Sequence, residues 1–222
     1  MSRNLFVWFG WAIFALASAY FASKALPYLW APVGELPLHP NPPSEEIALR
    51  LHAGGGLIAL MLGPLQFLGV LRRNFPLVHR TIGYGYIVSV AAGVGGALVL
   101  AQTPQGVGAN AFAFNMLAVI WAFSTTMALV SAYTKRWAQH QAWMVRSFAL
   151  TFAAVTLRVG MPLLGWVGFA PSEFYTIVAW ASWTINLIIA EWVVLPRLAV
   201  PQGPTGSNSQ GRTEVPDRRR EG

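Results

Sequence analysis

The sequence contains no cysteine, which excludes disulfides, thiolate nucleophiles and thiolate-held metals. Charge is also scarce. Asp, Glu, Lys and Arg make up 10% of the 222 residues, against about 25% in a soluble domain, so the chain lacks the polar surface needed to cover a globule in water. No HExxH, GxSxG, Walker loop or DxDxD-type carboxylate cluster occurs, and hydrolytic or nucleotide-driven chemistry therefore has no support. Hydrophobic residues account for 55% of the chain. They fall in long uninterrupted blocks, the pattern of membrane spans.

Six spans are expected, at 5–22, 53–71, 82–101, 110–132, 144–165 and 174–195. Each is long enough to cross a hydrocarbon core about 30 Å thick at 1.5 Å per residue. Backbone groups in lipid must be satisfied internally, and the blocks lack the alternation of a barrel strand. The fold class is therefore all-α, an integral membrane bundle with its core formed by spans 2 to 5. Positive charges set its direction. Arg3, Arg72, Arg73, Arg80, Lys135, Arg136 and Arg197 fall on one side. Lys24 and Arg50 fall on the other, with Glu35, Glu45, Glu46 and Glu173. The first side is cytoplasmic by the positive-inside rule, and an even number of spans puts both termini there. The net charge of +7 is thus an orientation signal for a multi-pass protein of the inner (cytoplasmic) membrane. Its partner is the lipid bilayer, with room for a membrane-protein partner or an oligomer, and not nucleic acid. A cleaved signal peptide ending near Ala17-Ser18-Ala19 is the alternative for the first span, but its apolar run is longer than an h-region of about 7–15 residues. One transmembrane domain, 1–200, thus includes an irregular Pro-rich outer loop at 24–51, and a Gly/Pro/Ser-rich tail at 201–222 should be a disordered cytoplasmic segment.

Several polar residues exceed what insertion requires. On span 2, His52, Gly55, Gly56, Ala59, Gly63 and Gln66 share one helical face. The glycines read as helix packing, which does not account for His52 and Gln66. Gly85, Ser89, Gly93 and Ala97 on span 3 form a small-xxx-small seam. On span 5, His140, Met144, Ser147, Thr151, Ala154 and Arg158 align, because 18 residues make five whole turns. Arg158 is far from the cytoplasmic end, and an Arg at a helix centre costs about 2.5–3.5 kcal/mol to insert. It should face the bundle or the outer interface, where His52 can approach it as an outer-face polar site. Glu191 on span 6 lies at the depth of Arg146, and a structural ion pair is the simplest account of both.

His79 precedes span 3 and His140 precedes span 5, so both stand at the cytoplasmic boundary. In an up-down bundle those spans are diagonal partners. Two imidazoles at one depth can then reach the axis from opposite sides, as axial ligands of a b-type haem do. The plainer reading makes them interfacial caps.

Three motifs carry a family resemblance. The first is His52 followed by Gly63-Pro64-Leu65-Gln66-Phe67. The second is Pro76-Leu77-Val78-His79-Arg80 with Gly83 and Tyr86. The third is His140-Gln141-Ala142-Trp143-Met144-Val145-Arg146-Ser147, continuing to Thr156-Leu157-Arg158. Over about residues 50–160 the chain resembles a bacterial family of predicted polytopic membrane proteins of unknown function. The resemblance implies a helical membrane bundle and carries no activity. The His-Arg and HxxWMxR patterns are similar in style to those of membrane b-type cytochromes, without matched positions.

The leading expectation is a small redox or lipophilic-ligand-binding protein. His79 and His140 would hold haem b or a quinone, with Gln66, Arg80 and Arg146 as polar support and no metal beyond haem iron. Whether any reaction is catalysed is left open. The alternatives are a non-enzymatic accessory or assembly subunit, and a small-solute transporter that uses His52 and Arg158 and is broken at Pro64 and Pro162.

Overall fold

In the computed structural model the described residues are 2–32, 35, 43–102, 109–168 and 170–199, and among them every regular element is helical. The helices are α1 (Ser2–Ser23), α2 (Pro43–Gln66), α3 (Gly69–Asn74), α4 (Pro76–Leu100), α5 (Ala109–Tyr133), α6 (Trp137–Thr151), α7 (Ala153–Trp166), α8 (Pro171–Ile189) and α9 (Leu195–Ala199). A 3-10 turn, Leu26–Leu29, follows α1, and a π-helical turn, Ala190–Val194, joins α8 to α9. Five helices are long and apolar enough to cross a membrane, with α6 and α7 forming one of them. The sixth, α1, contributes a shorter apolar stretch, Phe9–Ser23. Large apolar side chains cover the outside, among them Leu16, Val88, Phe123 and Ile177, a surface suited to lipid and not to water. Trp30 and Trp166 stand exposed at one end of the bundle and Trp137 and Trp192 at the other, where amphipathic rings favour the two interfaces. The chain is a multi-pass membrane protein.

Three boundaries differ from those read in the sequence. α2 starts at Pro43 and not at 53, so 43–51 is helix and not loop. Pro43 needs no helical N–H partner, and Glu45 and Glu46 in the first turn complement the helix dipole. Arg50 fastens the outer turn to this helix, donating to the Tyr28 carbonyl at 3.0 Å and the Ala31 carbonyl at 2.9 Å while pairing with Glu46. α4 starts at Pro76 and α6 at Trp137, ahead of 82 and 144, so His79 and His140 sit one turn inside their helices and do not precede them. The expected tail at 201–222 lies outside the described residues.

α2 packs on α4, α4 on α5, α5 on α6, and α6 back on α2, which closes a four-helix ring. α8 covers α5, α6 and α7, and α1 lies against α2 and α7. The α2–α4 contact is the closest. A Cβ placed on Gly55 would strike the Ser89 carbonyl and the Gly93 amide, and one on Gly96 would strike the Ala48 carbonyl and the His52 amide. The small-residue seam is therefore real, but its key member on α4 is Gly96. Gly85 meets only the Leu62 side chain, and Gly63 faces Phe148.

The turn that launches α6 is strained. Lys135 has φ 57°, and around it the Arg136 amide reaches back to the Ser131 carbonyl at 2.8 Å, a Schellman-type cap. A side chain in the left-handed region costs about 1–2 kcal/mol, which glycine avoids. Lys135→Gly should therefore raise the unfolding free energy by about 0.5–1 kcal/mol, read as a higher midpoint in detergent denaturation.

Candidate functional site

Antiparallel α2 and α4, and parallel α4 and α6, place their polar residues in three layers. Steps of seven residues, about 10.5 Å along a helix, lead from one layer to the next. On α4 the steps fall at His79, Tyr86 and Gly93, and on α6–α7 at His140, Ser147 and Ala154. On α2, running the other way, they fall at Gln66, Ala59 and His52.

The outer layer is closed by backbone. The His52 Nδ1–H donates to the Gly93 carbonyl at 3.0 Å. Arg158 Nη1 donates to the Ala154 carbonyl at 3.0 Å and lies within electrostatic reach of His52, Tyr28 and Tyr175. Burial holds the Tyr28 phenol above its ordinary range, and the Arg158 guanidinium works against that shift. Arg158 is exposed, and His52 Nδ1 is committed to holding α2 on α4.

The middle layer is a buried hydroxyl cluster. Tyr86, 0% exposed, has its hydroxyl 2.9 Å from Ser147 Oγ and 2.8 Å from Thr151 Oγ1. Thr125 Oγ1 is 2.7 Å from Ser147 Oγ, and the Trp121 indole N–H donates to Thr151 Oγ1 at 3.0 Å. Sequence reasoning aligned Ser147 and Thr151 and quoted Tyr86 in a motif, but it missed this cluster. The signal was present in register: Tyr86 follows His79 by seven residues, as Ser147 follows His140.

The third layer opens into a cleft of about 490 Å³, within the range of about 300–1,000 Å³ typical of ligand sites. Gln66 and Phe67 line it from the end of α2, Arg72 from α3 and His79 from α4. Trp137, His140, Gln141 and Met144 line it from α6. Three of the residues singled out in the sequence, His79, His140 and Gln66, are therefore brought together. Gln66 donates to the His79 carbonyl at 3.4 Å, a weak bond that ties the end of α2 to the start of α4. His140 Nδ1 lies 2.9 Å from the Ala128 carbonyl. A carbonyl only accepts, so Nδ1 carries a proton and Nε2 is the nitrogen not engaged by Ala128. His79 Nδ1 is buried and has no hydrogen-bond partner. Buried polar atoms are rarely left unpaired in native proteins, and the residue that carries this one lines the cleft.

Arg80 and Arg146 do not line the cleft. Arg80 follows His79 by one residue, about 100° round the helix, and is exposed. Arg146 forms a bidentate pair with Glu191, Nε to Oε1 at 2.5 Å and Nη2 to Oε2 at 3.0 Å, and lies over the Trp143 ring at 4.5 Å. The π-helical turn that carries Glu191 begins at Ala190, the kind of local irregularity that re-aims a side chain. The two side chains are 25% and 40% exposed, so the pair is less costly to break than a fully buried one. Glu191→Gln should lower stability by about 1–3 kcal/mol, below the 3–5 kcal/mol of a buried pair. The double variant Arg146→Met/Glu191→Leu should recover most of that loss in a denaturation series.

Arg72, from α3, lines the cleft instead. No carboxylate lines the cleft, and the described residues contain no group of three or more His, Cys, Asp or Glu able to hold a metal ion. The N-termini of α4 and α6 add positive potential there. Such a site suits a ligand with acceptor or anionic groups on a flat apolar body, with Phe67, Trp137 and Met144 as apolar walls.

No curated protein and no solved structure matches the chain. The family described as Predicted membrane protein (DUF2306) matches residues 49–194, a range that contains all three layers and the ion pair. The chain belongs to this family.

Proposed function

We propose that the protein binds a lipophilic redox ligand, haem b or a quinone, in the cleft between α2, α4 and α6. In this reading His79 and His140 are the ligand-facing residues and Gln66 and Arg72 their polar support. The observation that carries it is the pair of imidazoles on one cavity, His140 with Nδ1 anchored to Ala128 and His79 with a buried, unpartnered Nδ1. An imidazole oriented through its other nitrogen by a backbone carbonyl is the usual preparation of a ligating histidine. Haem would supply one-electron chemistry at iron, whereas a quinone would accept hydrogen bonds from imidazole, amide and guanidinium. The distribution of Arg and Lys supports placing the cleft on the cytoplasmic side of the inner membrane, with both termini there.

The test is the absorption spectrum of protein purified in mild detergent after expression with haem precursor, together with solvent extraction for quinones. A Soret band assigns haem and a stoichiometric extracted quinone assigns the other ligand. A colourless preparation without quinone overturns the reading.

A further inference from the structure

α4 and α6 stand on a diagonal of the ring, with α2 and α5 filling the flanks. Across that diagonal the tyrosine of the middle layer is the long side chain that closes the gap. From α4 its hydroxyl bonds two residues of α6, Ser147 at 2.9 Å and Thr151 at 2.8 Å. α5 locks the same point, because Thr125 bonds Ser147 and Trp121 bonds Thr151. Two turns toward the helix starts the same diagonal is open, and there His79 and His140 face the cleft. Met144, which lines it, is less than one turn from Ser147.

We propose that Tyr86 is the positioning residue of the cleft. Its hydroxyl braces the α4–α6 diagonal and so sets the separation at which the two imidazoles meet a ligand. Interhelical spacing two turns from a fixed point follows that point, since α4 runs unbroken from Pro76 through Tyr86 and α6 from Trp137 through Thr151. The described bonds of the cluster run only between hydroxyls, the indole and backbone carbonyls, with no carboxylate or imidazole to exchange a proton. Tyr86 therefore acts as a brace and not as an acid or base. This inference rests on the reading that both histidines serve one ligand, but its test needs no ligand, so the two fail separately.

The chain has no cysteine, so a His79→Cys/His140→Cys variant carries thiols at those two places alone. Treated in detergent with bifunctional thiol reagents of graded length, it should cross-link best at one length. Adding Tyr86→Phe, which keeps the ring and removes the hydroxyl, should cut the preference for that length by about tenfold, the equivalent of 1.4 kcal/mol. Ser147→Ala/Thr151→Val should do the same, and it carries the test if the phenylalanine variant does not fold. Asn186→Leu removes comparable bonds to Thr156 and Ala149 outside the brace and should leave the preference unchanged. An unaltered length profile in folded Tyr86→Phe overturns the proposal. So does an equal loss in Asn186→Leu, which would mean that any loosening of the bundle spreads the histidines.

Discussion

Replacing either His79 or His140 by alanine should abolish retention of the cleft ligand, while the protein still inserts and purifies as a folded bundle. Loss of a group that merely orients a ligating residue weakens binding by about 10–100-fold. Loss of an imidazole that touches the ligand should exceed that and strip the ligand during purification. The insertion signal is untouched, because neither residue supplies the hydropathy of its span. Stability should change little at His79, whose Nδ1 has no partner to lose. At His140 the Ala128 carbonyl loses one acceptor bond, a loss of about 1 kcal/mol. His52→Ala is the internal control. It removes the bond to Gly93 in the outer layer, so stability should fall while the ligand stays bound. The readout is ligand per protein, by absorbance for haem or by extraction for a quinone. Retention by both cleft variants would exclude these residues as its ligands.

The architecture was legible in the sequence because lipid imposes it. With no water to satisfy backbone groups, long apolar blocks must be helices, and the histidines at two helix starts fall at one depth whatever the packing. Boundaries were less legible. A hydropathy window sees where apolar residues begin, whereas these helices begin earlier, at Pro43, Pro76 and Trp137, two of them on a proline whose missing N–H costs nothing in a first turn. That difference moved His79 and His140 from the flanks of their spans to one turn inside. Arg80 lies off the cleft lining because adjacency in sequence is a 100° rotation on a helix. Arg72 was missed because α3, the short helix that brings it to the cleft, is masked by the apolar run continuing past Gln66. The hydroxyl cluster escaped because Ser, Thr and Tyr are unremarkable singly inside a membrane helix. The diagonal pairing of spans 3 and 5 had to be extended seven residues past His79 and His140 to join Tyr86 to Ser147.

The glycine seam gives the second large effect, and neighbouring residues supply its control. At Gly96 an added methyl would meet the Ala48 carbonyl and the His52 amide nitrogen, the latter at 2.6 Å. At Gly55 it would meet the Ser89 carbonyl and the Gly93 amide nitrogen, again at 2.6 Å. These are backbone atoms inside hydrogen-bonded helices, so they cannot rotate aside as a side chain would. At Gly95 and Gly56, one residue away in each helix, nothing lies within 4 Å. Gly96→Ala and Gly55→Ala should each lower stability by about 3 kcal/mol, the upper end of overpacking costs. Gly95→Ala and Gly56→Ala should be neutral or stabilising by up to about 1 kcal/mol, since alanine is the better helix former. All four substitutions raise hydropathy equally, so insertion cannot explain a split between the pairs. Detergent or thermal unfolding of the four variants reads the difference, and equal midpoints would mean that α2 and α4 do not meet through their backbones. The consequence reaches both ends of the molecule. Helix association in lipid relies on close packing without a hydrophobic drive, so a wedge at Gly96 should part His52 from Gly93. Because α2 is one continuous helix from Pro43 to Gln66, the same wedge should draw Gln66 away from His79 and widen the cleft from its far side.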